Sequence, residues 1–456
     1  MSSNKISRRQ FLGSADVAAG FTVVPRYVLG GSRQVPPSEK LNIACIGVGG
    51  MGASDIQQVS TENIVALCDV DWRHAAATFE KFPNAKKYLD FRKMLETEDK
   101  NIDAVTVSTP DNTHAVAAML AIKMGKNVYV QKPLAHDVFE VRQLTEAARK
   151  NKVMTQMGIQ LHAMVVIKLL VEMIKSGMIG QVRRVDIWSN KNWGGGTRPT
   201  ETPPVPEWLD WDLWLGPAPE RPYHSTYLPG NWRRWWDFGT GTLGDMGCHI
   251  IDPVCWALDL LYPTSVEAEP GPFNNETYPE ATTVRWEFPA RGPAGGGVDP
   301  VQGFALPPVV VTWYDGANMP PRPPELEEGR NLPDQGGLYY GEKGTILAPH
   351  MDGPRLIPES RMKEFKPPKQ LFPRDVDHYQ EWIRACKGGP KPLANFDYSG
   401  PLTETILLGN MAARAGTLEG LETGQKLQWD GPNLKVTNVP EANKFLRREY
   451  RKGWTL

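Results

Sequence analysis

The chain has 456 residues, enough for two or three domains at about 150 residues each. Hydrophobic residues make up 41% and charged residues 23%, a balance that excludes wholesale disorder. Fifty-one Lys and Arg stand against 52 Asp and Glu, so no basic footprint argues for nucleic acid, and no run of eighteen apolar residues offers a membrane span.

Residues 7–13 read Ser-Arg-Arg-Gln-Phe-Leu-Gly, and a weakly apolar stretch interrupted by Asp16 follows to Val24. Paired arginines before such a stretch predict a twin-arginine export signal over residues 1–31, hence a periplasmic or otherwise exported protein. Residues 32–40 read as a linker. The five cysteines are odd in number and form no C-x-x-C, so neither a disulfide framework nor a metal site is expected.

From Leu41 the chain alternates short apolar strands with amphipathic helices. Strands are predicted at 41–46, 64–68, 104–107, 127–130 and 153–157, and helices at 50–58, 72–82, 113–124 and 137–150. That order indicates a doubly wound parallel sheet, with a dinucleotide-binding Rossmann domain over 41–158.

The first strand runs into Gly47-Val48-Gly49-Gly50-Met51-Gly52, a G-x-G-x-x-G that opens the first helix. Gly47 permits the tight turn, Gly49 lets backbone approach a pyrophosphate, and Gly52 lets helix pack on strand. Gly50 and Met51 lie at the helix N-terminus, whose amides face the anion. Asp69 ends the second strand, 17 residues after Gly52. A carboxylate there accepts from a ribose and repels a 2′-phosphate, which favours NAD over NADP; Arg73 nearby would soften that preference. The strand at 104–107 ends in Ser108, Thr109 and Asn112, candidates to border the cofactor. Asn112 also suits the start of the next helix.

The strand at 127–130 leads into Gln131-Lys132-Pro133. Here the chain resembles the Gfo/Idh/MocA oxidoreductases, which carry Glu-Lys-Pro; Gln131 departs from that pattern. The resemblance implies bound NAD(P), with Gln131 and Lys132 at the site. It also implies a C-terminal α/β domain, here 159–456, whose large open, mostly antiparallel sheet supports substrate binding and a homo-oligomer. Strands at 182–189, 266–268, 282–288 and 309–314, and helices at 165–176, 378–387 and 402–418, suit that domain. Residues 289–308 and 316–337 read as loops, and 341–344 as a tight turn.

Gly244-Asp245-Met246-Gly247-Cys248-His249 resembles the family's D-x-x-x-H pattern, in which the His is the acid/base. Four apart on a helix, Asp245 and His249 share one face. Glycines at 241, 244 and 247 would admit a substrate or another backbone. Oxidising a secondary alcohol removes a hydride from carbon and a proton from oxygen. His249 is expected to take the proton, Lys132 to stabilise the developing alkoxide, and Asp245 to orient His249 or bind a hydroxyl. The roles of Lys132 and His249 reverse if burial lowers the lysine pKa.

Nine of the 15 Trp fall between positions 188 and 256, interleaved with Asn, Lys and Arg. Most are expected to pack; Trp193, before three glycines, is the candidate for a sugar ring. Gln160, and less so His162, are placed to reach a substrate; His378 and Tyr379 read as packing residues. The leading reading is an NAD(P)-dependent dehydrogenase acting on a small carbohydrate, a sugar, glycoside or cyclitol, with tightly retained cofactor. The alternatives are a redox-neutral glycoside hydrolase or lyase working through a transient 3-keto sugar, and a sugar-binding module without catalysis.

Overall fold

A computed structural model describes residues 39–292 and 306–456. The twin-arginine segment lies outside the described residues, as does part of the 289–308 loop.

The first sheet is built from β1 (Asn42–Ile46), β2 (Asn63–Cys68), β3 (Lys86–Tyr88), β4 (Ala104–Val107), β5 (Asn127–Gln131) and β6 (Thr155–Gly158). Their order is β3-β2-β1-β4-β5-β6, and every pairing is parallel. Strands β1, β4 and β5 are apolar and almost wholly buried because helices cover both faces. Those helices are α1 (Gly50–Val59), α2 (Trp72–Lys81), α3 (Phe91–Glu98), α4 (Asp111–Lys123) and α5 (Val138–Asn151). The edge strand β3 and the charged helix α3 carried too little apolar periodicity to be read from sequence. The order reverses between β1 and β4, so the ends of these strands open a crevice where ligands bind such sheets.

Helix α6 (Val165–Lys175) leads to a second, mixed sheet. Its strands are β7 (Val182–Ser189), β8 (Ser265–Pro270), β9 (Thr282–Phe288), β10 (Val309–Asp315), β11 (Gln335–Gly341), β12 (Gly344–Pro349), β13 (Arg355–Ile357), β14 (Leu427–Asp430) and β15 (Lys435–Val436). Within this sheet only β7 and β10 pair in parallel among the described residues; its other pairings are antiparallel. The 341–344 turn does join two strands. The stretch read as a loop to 337 already enters β11 at Gln335, because Gly336 and Gly337 pack under β12 and β7.

Helices α7 (Trp211–Leu215), α8 (Gly241–Ile250) and α9 (Asp252–Leu258) precede β8, and α10 (His378–Cys386) and α11 (Phe396–Ala415) follow β13. Helix α11 starts six residues before the expected Leu402 and contains Pro401; the Asn395 side chain caps it by accepting from Asp397 N at 2.9 Å. Helix α10 returns to the first sheet. Its Tyr379, Trp382 and Ile383 join Ile43, Ile56, Leu67 and Tyr129 in one buried cluster.

Candidate active site

The glycine turn folds as its spacing requires. Gly47 has φ +76°, and a Cβ there would lie 2.5 Å from Ser108 O. At Gly52 a Cβ would fall 2.0 Å from Gly47 O, so this residue serves helix packing and does not line the cleft. The space beside Gly49 is occupied by the His74 imidazole. Helix α1 has no side-chain cap and no acidic residue in its first turn, leaving amide donors for an anion.

A cavity of about 500 Å³ opens here, a size suited to a small-molecule or cofactor site. Gly47, Gly49, Gly50 and Met51 line one part, and Asp69, Ser108 and Thr109 continue it. Asp69 Oδ2 accepts from Val48 N at 2.8 Å and Gly49 N at 3.3 Å. Burial raises its pKa, opposed by hydrogen bonds from the Asp71 and Val48 amides. The uncapped turn and the carboxylate at the adjacent strand end fit an NAD moiety. Arg73, by contrast, stacks on Trp208 at 3.7 Å from the ring centroid and does not line the cavity.

Asn112 is a correction. It does not border the cavity and does not cap α4, whose N-cap is Pro110. It is fully buried, and its Nδ2 donates to Leu215 O at 2.9 Å, tying α4 to α7.

Gln131 and Lys132 continue the cavity wall, with Gln160, Arg233 and His249. Lys132 Nζ donates to Asp245 Oδ1 at 2.5 Å and to Asp245 O at 3.0 Å. Arg233 Nε and Trp193 Nε1 reach the same carboxylate, each at 3.0 Å. Burial disfavours the charge on Asp245, yet Lys132 and Arg233 together hold its carboxyl well below the usual range. Asp245 is therefore an anion that organises three donors. Trp193 touches the site through its indole N–H and through Trp193 N, which donates to Thr242 Oγ1 at 2.7 Å; it does not line the cavity.

Asp245 and His249 share a partly exposed face of α8 while most of the helix is buried. Three glycines make this a poor helix intrinsically, and packing carries it. Gly241, at φ +64°, lets the Tyr278 ring pack against the helix start, so the glycines admit protein neighbours here. Burial, then the Lys132 charge, pushes the His249 pKa down to about 3. Its Nδ1 has no hydrogen-bond partner among the described residues. The ring is thus neutral, with an unpaired buried nitrogen, and lines the pocket that Lys132 also lines.

Asp111 and Arg233 are among the cavity-lining residues not singled out in the sequence. Asp111 lines the cavity, is buried, and accepts from Thr240 Oγ1 at 2.6 Å. Burial raises its pKa to about 7 against the Thr240 hydroxyl and the Arg233 and Lys132 charges. Its position between Pro110 and Asn112, just past a strand end, was the available signal. Arg233 stood in the Trp-rich segment with nothing to distinguish it from its neighbours.

His162 does not reach the cavity. It is 2% exposed, holds Asp252 through Nδ1 at 2.9 Å, and stacks on Trp256 at 3.9 Å between centroids. Tyr379 is more than packing: its hydroxyl donates to Asp55 Oδ1 at 2.7 Å and accepts from Gln160 Nε2 at 3.1 Å. Of the tryptophans, Trp211, Trp214 and Trp235 form a small core with Tyr223, Tyr227 and Phe238, as packing residues do. Trp214 and Trp232 also line the cavity.

Two family models match in tandem. The Gfo/Idh/MocA model described as "Oxidoreductase family, NAD-binding Rossmann fold" covers residues 41–159, and its companion, "Oxidoreductase family, C-terminal alpha/beta domain", covers 163–286. An inositol 2-dehydrogenase of Salmonella paratyphi B is 31% identical over 147 residues, 31% of this chain and 43% of that relative. A glycosyl hydrolase family 109 protein of Saccharopolyspora erythraea is 28% identical over 290 residues, 57% of this chain and 56% of that relative. The chain therefore matches less than two thirds of either relative's length. An inositol dehydrogenase homolog from Azotobacter vinelandii, solved with NADH and myo-inositol, superposes with a TM-score of 0.54 at 15% identity over 86% of this chain and 98% of that one, a likeness of fold.

Proposed function

The chain belongs to the Gfo/Idh/MocA oxidoreductases, and from that premise we propose that it is an NAD-dependent dehydrogenase acting on a secondary alcohol of a sugar, glycoside or cyclitol. The observation that carries this reading is that Lys132 and His249 line one cavity with the glycine turn and Asp69. Bound at that turn, NAD⁺ supplies a hydride acceptor. Asp69 and the α1 amides would hold it, with Ser108, Thr109 and Gln131 along the wall.

The remaining chemistry belongs to this chain. Lys132 donates a hydrogen bond to the substrate oxygen and stabilises negative charge as the hydroxyl proton leaves. His249, kept neutral by burial, accepts that proton at a ring nitrogen. Asp245 fixes the Lys132 ammonium, and through Trp193 it fixes the loop beside it. Asp111, whose proton affinity lies near neutrality, gives the cavity a second group able to hold a proton.

We further propose export by the twin-arginine route, retention of the cofactor, and a homo-oligomer formed through the open face of the second sheet. Retention follows from export, because a cofactor released outside the cytoplasm has no pool to exchange with. No helix among the described residues is long and apolar enough to cross a membrane. The match to the glycosyl hydrolase relative extends beyond the Rossmann region and supports, as a second reading, redox-neutral cleavage through a transient 3-keto sugar.

Mass spectrometry of small molecules released on denaturing the purified protein is expected to find NAD(H). Protein free of nicotinamide nucleotide would sink the retention proposal. Incubation with myo-inositol, sugars and chromogenic glycosides separates the two chemistries. Keto product with NADH supports the dehydrogenase; glycoside cleavage without net NADH supports the second reading.

A further inference from the structure

Behind the cavity wall lies a buried carboxylate that the reaction above does not use. Asp55 sits on the inward face of α1, beside Ile56 and Val59, with no solvent exposure. A lone carboxylate in such a place is costly, and its oxygens are fully engaged. Ser108 Oγ donates to Oδ2 at 2.7 Å and Tyr379 OH to Oδ1 at 2.7 Å. The Gln131 amide nitrogen straddles both oxygens, at 3.1 and 3.0 Å.

An amide NH₂ only donates, so Asp55 dictates which way the Gln131 amide faces. Gln131 Oε1 is thereby turned toward Lys132 N, which donates to it at 3.3 Å. Gly158, paired with Gln131 in the next strand, clears the space; a Cβ there would lie 2.8 Å from the Gln131 amide carbon. Ser108 and Gln131 line the cavity and bind Asp55 directly, while Gln160 lines it and binds Asp55 through Tyr379. One carboxylate thus fixes three cavity-lining side chains.

A glutamate at position 131, as in the family's motif, would set two carboxylates against each other. We propose that Asp55 is a positioning residue. It supplies from α1 the buried carboxylate that the strand end lacks at position 131, and the Asp55–Gln131 pair fixes the floor of the dinucleotide cleft beside Lys132. The proposal rests on the nucleotide-binding reading of this cleft.

The test is an exchange of partners. Full-length wild type, Asp55→Asn, Gln131→Glu and the double variant Asp55→Asn/Gln131→Glu are compared by thermal unfolding without added nucleotide and by fluorescence titration with NADH. Gln131→Glu is expected to lower the unfolding midpoint and weaken NADH binding about tenfold, with Asp55→Asn intermediate. The double variant restores one carboxylate facing one amide, and is expected to recover to within about threefold of wild type. Failure of Gln131→Glu to fold where the double variant folds also upholds the exchange. A double variant that does not fold, or is no better than Gln131→Glu, overturns it, as does a Gln131→Glu protein equal to wild type. If wild type binds no NADH, the nucleotide-binding reading fails, and the thermal comparison still decides the pair.

Discussion

Lys132 and Asp245 stand 113 positions apart in the chain and meet at 2.5 Å. The lysine follows the last residue of a Rossmann strand; the aspartate rides α8, a helix that packs on α11. Their contact joins the part of the cleft suited to a dinucleotide with the part that carries the imidazole. Arg233 and Trp193 share the same carboxylate, so Asp245 sets the geometry of three donors at once.

Removing the ammonium tests its role in the chemistry. Lys132→Met keeps the length of the side chain and leaves Asp245 with Arg233. Turnover is expected to fall about 10²- to 10³-fold, the size of losing one donor to a developing oxyanion. NADH affinity should change by much less. Lys132→Arg should not rescue, because a planar fork cannot take the place of a compact ammonium. Steady-state rates on any accepted substrate decide, and a Lys132→Met enzyme within about threefold of wild type removes the lysine from the reaction.

Replacing the imidazole makes two measurable changes. His249→Asn should lower kcat/KM about 10²- to 10⁴-fold through loss of the proton acceptor. It should also alter stability with pH. The folded pKa is depressed to about 3 from 6.5, so between those values the unfolded chain binds the proton more readily. Wild-type stability from this group is present above about pH 6.5 and lost as the pH falls toward 3. Urea midpoints for wild type and variant, measured from pH 4 to 7, should therefore differ by a margin that shifts in the variant's favour as the pH falls. A difference independent of pH would contradict the buried neutral ring.

Asp111 carries the opposite sign. Its folded pKa is raised to about 7 from 3.8, so the folded state binds the proton more readily across that window. The group's contribution is greatest below about pH 4 and is lost as the pH rises toward 7. Asp111→Asn cannot ionise, so it should gain stability relative to wild type as the pH climbs from 4 to 7. The same pair of urea titrations reads this, and a variant that loses ground over that range would show that Asp111 is ionised well below neutrality.

The sequence revealed whatever depends on local spacing. The alternation of apolar strands and amphipathic helices gave the parallel sheet, and the glycines at 47, 49 and 52 gave the turn. Asp245 and His249 fell on one helical face because they are four apart. What escaped were contacts between distant segments. Nothing near Asn112 signals that Leu215 O will claim its amide. Asp55 reads as an ordinary polar position of an amphipathic helix, since its three donors come from residues 108, 131 and 379. His162 looked reachable at a strand end, but Asp252 and Trp256 enclose it from across the chain.

Tyr379 and its neighbours on α10 have a consequence for the order in which the protein matures. A nascent chain released from the ribosome only as far as Gln160 already carries the glycine turn and all six strands of the first sheet. It still lacks the phenol that binds Asp55, and the Trp382 and Ile383 side chains that share the apolar layer with Ile56. Completion of the cleft is therefore a late event in biosynthesis.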